Sequence, residues 1–142
     1  MDSLPNDQVQ LLIQKAIEAS KNAYCPYSKY PVGAALITEC GHIFTGCNVE
    51  NASFGVGTCA ERTAMCKMVS EGYRTIKALA CVTKDCGLPC GACRQFINEF
   101  SPNCIVISAT IDGELKGIYR LPELLPHAFG PKNLEWNGHL LE

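Results

Sequence analysis

Two short stretches of this 142-residue chain hold the side chains best placed to do chemistry: "TCAERTAM" at 58–65 and "LPCGACRQF" at 88–96. The first sets a thiol, a carboxylate and a guanidinium within one helical turn, as Cys59, Glu61 and Arg62. The second spaces Cys90 and Cys93 three apart, so that on a helix they share a face. A helix begins with amide N–H groups that lack partners, and its dipole favours negative charge there. A thiol at that place is biased towards thiolate, the form that binds metal. Three thiolates from two helix starts make a trigonal base for tetrahedral Zn²⁺. Its fourth position is then open to water, which is the catalytic arrangement; four protein ligands make a structural one.

On these residues alone, alternatives stay open. Cys86 is the nearest candidate for a fourth, structural ligand. The C-x-x-C of Cys90 and Cys93 also fits a thioredoxin-like redox pair, although that leaves Cys59 and Glu61 without a task. None of the three histidines (His42, His127, His139) lies near either stretch in sequence. Glu61 does not project with Cys59 from one helical face. In a first turn it can still lean over the open side of a metal and shuttle the proton of a bound water. Zn²⁺ with three thiolates carries a net −1, which weakens its hold on hydroxide. Arg62 beside the cluster can donate hydrogen bonds to the sulfurs and draw off that charge.

These residues need elements to position them. "DQVQLLIQKAIEASKNAY" (7–24) has Val9, Leu12, Ile13, Ala16 and Ile17 at the spacing of one helical face. The loop "YCPYSKYPVG" leads into a strand at "GAALITE", which the turn "ECGH" joins to "IFTGCNV" as a hairpin. A helix capped by Thr58 is expected from about Cys59 to Ser70, ending near Gly72. "TIKALACV" reads as a strand and "TKDCGL" as a loop, and Pro89 is expected to open a second helix through about Phe100. "CIVISATI" and "ELKGIYR" read as strands joined by the turn at Asp112 and Gly113, before a short tail "LPELLPHAFGP". Five strands and three main helices, with helix–strand–helix–strand in the middle, give an α/β fold. The helices starting at Cys59 and Pro89 are then expected side by side, if their strands are neighbours, at the sheet edge where open α/β sheets bind ligands.

Length and composition bound the rest. A chain of this size reads as one domain able to bury its own core. The net charge of −2 gives no case for nucleic acid or an anionic membrane, and no apolar run suits a bilayer span. The opening "MDSLPNDQVQ" does not resemble a signal peptide. Ten cysteines without one point to the reducing cytosol, where metal binding and buried thiols are commoner than disulfides. Cys81 and Cys104, in apolar runs, read as core residues. Cys25, Cys40, Cys47, Cys66 and Cys86 show no pairing by spacing.

C-x-E followed by P-C-x-x-C resembles the signature of zinc nucleobase deaminases, with Cys in the first position in place of His. The blocks "YCPYSKYPVGAAL", "GCNVENASFG", "TCAERTAM", "LPCGACRQF" and "LLPHAFGP" resemble, in that order, the small homotetrameric type of the cytidine deaminase family. The resemblance implies a three-layer α/β/α sandwich around a mixed five-stranded sheet, as a single domain over 1–142. It implies one Zn²⁺ per subunit on Cys59, Cys90 and Cys93, with Glu61 the proton shuttle and Arg62 the charge compensator. Asn48 and Glu50 stand where the family grips ribose. Phe129 stands where a neighbouring subunit's aromatic ring stacks on the base. Tyr30 and Phe54 occupy positions where relatives often carry Phe and Tyr, which implies that their rings pack at the site. The implied reaction is hydrolytic deamination of cytidine and 2'-deoxycytidine in pyrimidine salvage, by a cytoplasmic homotetramer, with the nucleus left open. Deaminases of cytosine-containing antibiotic nucleosides or of polynucleotide cytosine are the alternatives on the same scaffold.

Overall fold

The computed structural model describes residues 3–85 and 87–134. Helix α1 (Asn6–Ser20) precedes a hairpin of β1 (Gly33–Thr38) and β2 (Ile43–Cys47), which leads to α2 (Ala60–Ser70). Then come β3 (Ile76–Thr83), α3 (Gly91–Phe100), β4 (Ile105–Thr110), β5 (Leu115–Arg120) and the single turn α4 (Leu121–Leu124). The strands form one sheet in the order β2-β1-β3-β4-β5. Only β3 and β4 pair in parallel; the other pairs are antiparallel. The expected mixed five-stranded sheet is therefore present.

Its central strands are buried along almost their whole length, because helices cover both faces. On one face α1 packs Val9, Leu12, Ile13 and Ala16 against Ala35, Ala80, Val82 and Ile107. On the other, Ala64, Met65 and Met68 of α2 and Ile97 of α3 pack with Leu36, Leu79 and Val106. Cys81 and Cys104 are core residues, as read from their runs, at 2% and 1% exposure. These two packed faces give three layers, the arrangement that hides the apolar side of each element.

Three boundaries differ from the sequence reading. Helix α1 stops at Ser20 and does not reach Tyr24. The Tyr24 N–H instead donates to the Asn48 carbonyl at 3.0 Å, and the Tyr24 carbonyl accepts from Glu50 N–H at 2.8 Å. Thr58 does not cap α2: its backbone exchanges two 2.9 Å hydrogen bonds with Val49, and Cys59 takes the cap position. Pro89 likewise sits one residue before the cap of α3, which is Cys90. The neighbour condition for the two helices is also only half met. β3 and β4 are adjacent, but β1 lies between β2 and β3. Both β2 and β3 run antiparallel to β1, so they are parallel to each other and end at the same edge. The helices that follow them begin there for that reason.

Two glycines let the helices lie close on the sheet. A Cβ at Gly46 would stand 2.5 Å from the Ala60 carbonyl oxygen, and one at Gly33 would stand 1.9 Å from that of Ala16. Gly46→Ala is expected to cost about 1–3 kcal/mol of unfolding free energy, because helix backbone cannot yield as a side chain can. Urea titration followed by circular dichroism reads that loss.

Candidate active site

Cys59 and Cys90 are both N-cap residues with extended backbone (φ −71° and −66°), and neither side chain makes a capping hydrogen bond. Their thiols are therefore free to turn outward from the helix starts. Cys93, in the first turn of α3, is buried beneath them. The three Sγ atoms lie within 4.8 Å of one another, and those of Cys59 and Cys90 are 3.9 Å apart. Two sulfurs at about 2.3 Å from a tetrahedral zinc would be separated by roughly 3.8 Å. The donor set and its spacing thus fit that ion. None of the three is in a disulfide. No other group of three such ligands occurs among the described residues. Cys86, the residue needed for a fourth structural ligand, lies outside the described residues, as does His139.

The charges around the cluster are graded. Arg62 donates from Nη2 to Cys59 Sγ at 3.2 Å. A hydrogen bond from the Cys93 thiol, helped by Arg62 and opposed by burial, holds Cys59 down to about 5. The same contact pushes Cys93 well above the ordinary thiol range, with burial adding to it. Glu61 lies in the first turn of α2 and is only 5% exposed. Burial is what raises its carboxyl above the ordinary carboxylate range.

Cys59, Glu61, Arg62 and Cys90 line a cavity of about 410 Å³ together with Tyr30, Asn48, Glu50 and Phe54. Asn48 and Glu50 each have a second task. Asn48 Oδ1 accepts from Val32 N–H and its Nδ2 donates to the Tyr30 carbonyl, both at 2.9 Å. Glu50 Oε1 accepts from the N–H groups of Tyr27 and Ser28 at 3.0 and 3.1 Å. Its bonds to Ser28, followed by that to Tyr27, keep its carboxyl below the usual range. Each side chain retains further hydrogen-bonding capacity that faces the cavity, since a primary amide and a carboxylate have more sites than these contacts use.

Phe129 does not line this cavity. It is 57% exposed, and its carbonyl is held by Gln95 Nε2 at 2.8 Å and Asn98 Nδ2 at 3.2 Å. Phe54, 82% exposed at the rim, packs edge-on against Tyr27 with ring centroids 5.9 Å apart. Val32, Thr83, Gly87 and Leu88 also line the cavity, and sequence reasoning assigned them nothing. The available signal was their place, at the carboxyl end of β3 and just before β1 on the ligand-binding edge. No helix among the described residues is long and apolar enough to cross a membrane.

The chain belongs to the cytidine and deoxycytidylate deaminase family: the profile described as "Cytidine and deoxycytidylate deaminase zinc-binding region" matches residues 6–109. It is 45% identical over 131 residues to the cytidine deaminase of Sporosarcina psychrophila, covering 90% of this chain and 96% of that one. Among solved structures it is similar to the cytidine deaminase of Burkholderia pseudomallei. That match has a TM-score of 0.78 and 44% identity, and covers 84% of this chain and 97% of that one. The cytidine deaminase of Mycobacterium tuberculosis superposes with a TM-score of 0.77 at 36% identity, covering 90% of this chain and 99% of that one.

The graded thiols give a pH test on the metal-free protein. At pH 6, above the Cys59 value of about 5, carboxamidomethylation is expected at Cys59 while Cys93 stays unmodified. Peptide mass spectrometry reads which sulfur has reacted. The rate at Cys59 should fall as the pH drops through 5, since only the thiolate attacks.

Proposed function

We propose that this chain hydrolyses cytidine and 2'-deoxycytidine to the uridine forms with release of ammonia, as a step of pyrimidine salvage. The observation that carries the reading is the convergence of three sulfurs beside a buried carboxylate, on a cavity that Asn48 and Glu50 also line. Cys59, Cys90 and Cys93 would hold one zinc per chain, and Arg62 would offset their negative charge. Zinc bound there supplies a water whose pKa lies near 7.

Glu61 takes a proton from the attacking water and delivers it to N3 of the pyrimidine, which makes C4 electrophilic. After addition at C4, Glu61 takes the proton of the new C4 hydroxyl and passes it to the amine, which leaves as ammonia while the C4 carbonyl forms, so one water is consumed for each ammonia released. Its burial suits both tasks, because a carboxyl raised above its ordinary range gives up less readily the proton it has accepted and can hand it on within the site. Asn48 and Glu50 grip the sugar hydroxyls with the capacity their backbone contacts leave over. Tyr30 and Phe54 pack around the base, and the exposed Phe129 completes the pocket of a neighbouring chain in a homotetramer. The compartment we infer is the cytoplasm, in keeping with thiols that need a reducing environment.

Loss of ultraviolet absorbance on free cytidine, measured before and after zinc removal by a chelator, tests the reading; a fully active metal-free protein would refute it. Glu61→Gln is expected to keep its zinc and to lose about 10²–10⁴-fold in turnover. Mixing chains provides a second test. Glu61→Gln and Phe129→Ala chains, each impaired alone, should regain activity when unfolded and refolded together, because some pockets then combine an intact Glu61 with an intact Phe129. No recovery over the separate samples would place Phe129 outside its neighbour's site.

A further inference from the structure

Two separate segments that line the cavity meet through their side chains. One is the loop ending at Tyr30 and Val32; the other comprises residues 83–85, from the end of β3, and 87–90, before α3. The Tyr30 hydroxyl reaches over and donates to Asp85 Oδ1. The Thr83 hydroxyl donates to the same oxygen at 3.3 Å, and Gly87 N–H donates to Thr83 Oγ1 at 2.9 Å. Lys84 Nζ stands over the Tyr30 ring, 5.9 Å from its centroid. A Cβ at Gly87 would lie 3.8 Å from the Tyr30 hydroxyl oxygen, so that end of the ring rests against the backbone of the turn. One aromatic ring is thus held at its polar end and on a face by residues of a single turn. The backbone of that turn, at Gly87 and Leu88, is itself cavity wall.

We propose that Asp85 is a positioning residue: through the Tyr30 hydroxyl it latches the β3–α3 turn to the loop that carries Tyr30 and so sets the width of the cavity for the nucleoside. The inference rests on the deaminase reading above and adds to it a residue on which neither the zinc cluster nor the proton shuttle depends. The chemistry suits a latch. An exposed carboxylate is ionised at neutral pH, and a phenol donating to it forms a charge-assisted hydrogen bond, stronger than a neutral one. The Tyr30 bond, with the Thr83 hydroxyl adding to it, holds the Asp85 carboxyl below its ordinary range. Phenylalanine at position 30 would present the same ring to the base without the link. The latch therefore belongs to binding, not to the chemical step. Without it Gly87 keeps its bond to Thr83, but Asp85 loses its hydrogen bond to the loop that carries Tyr30.

A double-mutant cycle on the zinc-loaded enzyme tests this. Tyr30→Phe and Asp85→Ala are each expected to raise KM for cytidine about fivefold, the scale of one exposed charged hydrogen bond, with kcat and zinc content within about twofold of the parent. The double variant should be no worse than either single one, because one interaction cannot be lost twice. Asp85→Asn, which keeps an acceptor oxygen without the charge, should recover part of the loss. Unchanged KM in Tyr30→Phe, effects that multiply in the double variant, or a fall in kcat at constant KM would each overturn the latch. An inactive parent enzyme would instead defeat the deaminase reading beneath it. If Asp85→Ala fails to fold, Tyr30→Phe and Asp85→Asn still decide between these outcomes.

Discussion

Three sulfur atoms within 4.8 Å can all be anionic only if something positive lies among them. At the 3.9 Å between Cys59 and Cys90, two unit charges repel by roughly 4 kcal/mol at an effective dielectric constant of 20. The protein offsets part of this from its own groups. Two helix N-termini point their amides at the cluster, and Arg62 donates to Cys59. What remains is visible in the thiols: the same contact lowers Cys59 and raises Cys93, so Cys93 keeps its proton and donates it in a hydrogen bond to the Cys59 sulfur. A dication is the natural completion of such a set, since metal binding and thiol deprotonation are a single linked equilibrium.

Everything else in the fold serves to bring those helix starts together. Because β1 runs opposite to both β2 and β3, the chain leaves two parallel strands at one edge, with a strand's width between them. Gly46 allows α2 to approach β2 until only a hydrogen atom fits between them. That close seating buries Glu61 beside the cluster and raises its carboxyl through loss of solvent. A looser α2 would leave the same residue as an ordinary surface acid. The proton chemistry proposed for it thus begins with a packing constraint made by a glycine.

Elsewhere in the cavity wall two side chains each serve twice. Asn48 and Glu50 are tied to the backbone of residues 27–32, so they shape the loop that carries Tyr30 while presenting their remaining capacity inward. Removing either would disturb the wall as well as a contact to substrate. Phe129 is held by the same helix that carries Cys93, through Gln95 and Asn98. One element, α3, thereby serves the metal cluster at its start and fixes an exposed ring along its flank.

Much of this was legible in the residues. Cysteine spacing, the carboxylate two residues on, and the alternation of apolar runs with turn residues pick out the three cysteines that cluster, the α/β class and nearly every element, because these depend on neighbours along the chain. The helix starts were placed early, by one residue at Thr58 and two at Pro89: both satisfy local preferences, but Val49 pairs with Thr58 from nine residues away, and that choice is not local. For the same reason the strand order, the burial of Glu61, and the meeting of Tyr30 with Asp85 across 55 positions belong to the tertiary structure alone. Chemical identity is written residue by residue, whereas distance, burial and charge environment arise only when remote segments exclude water from one another.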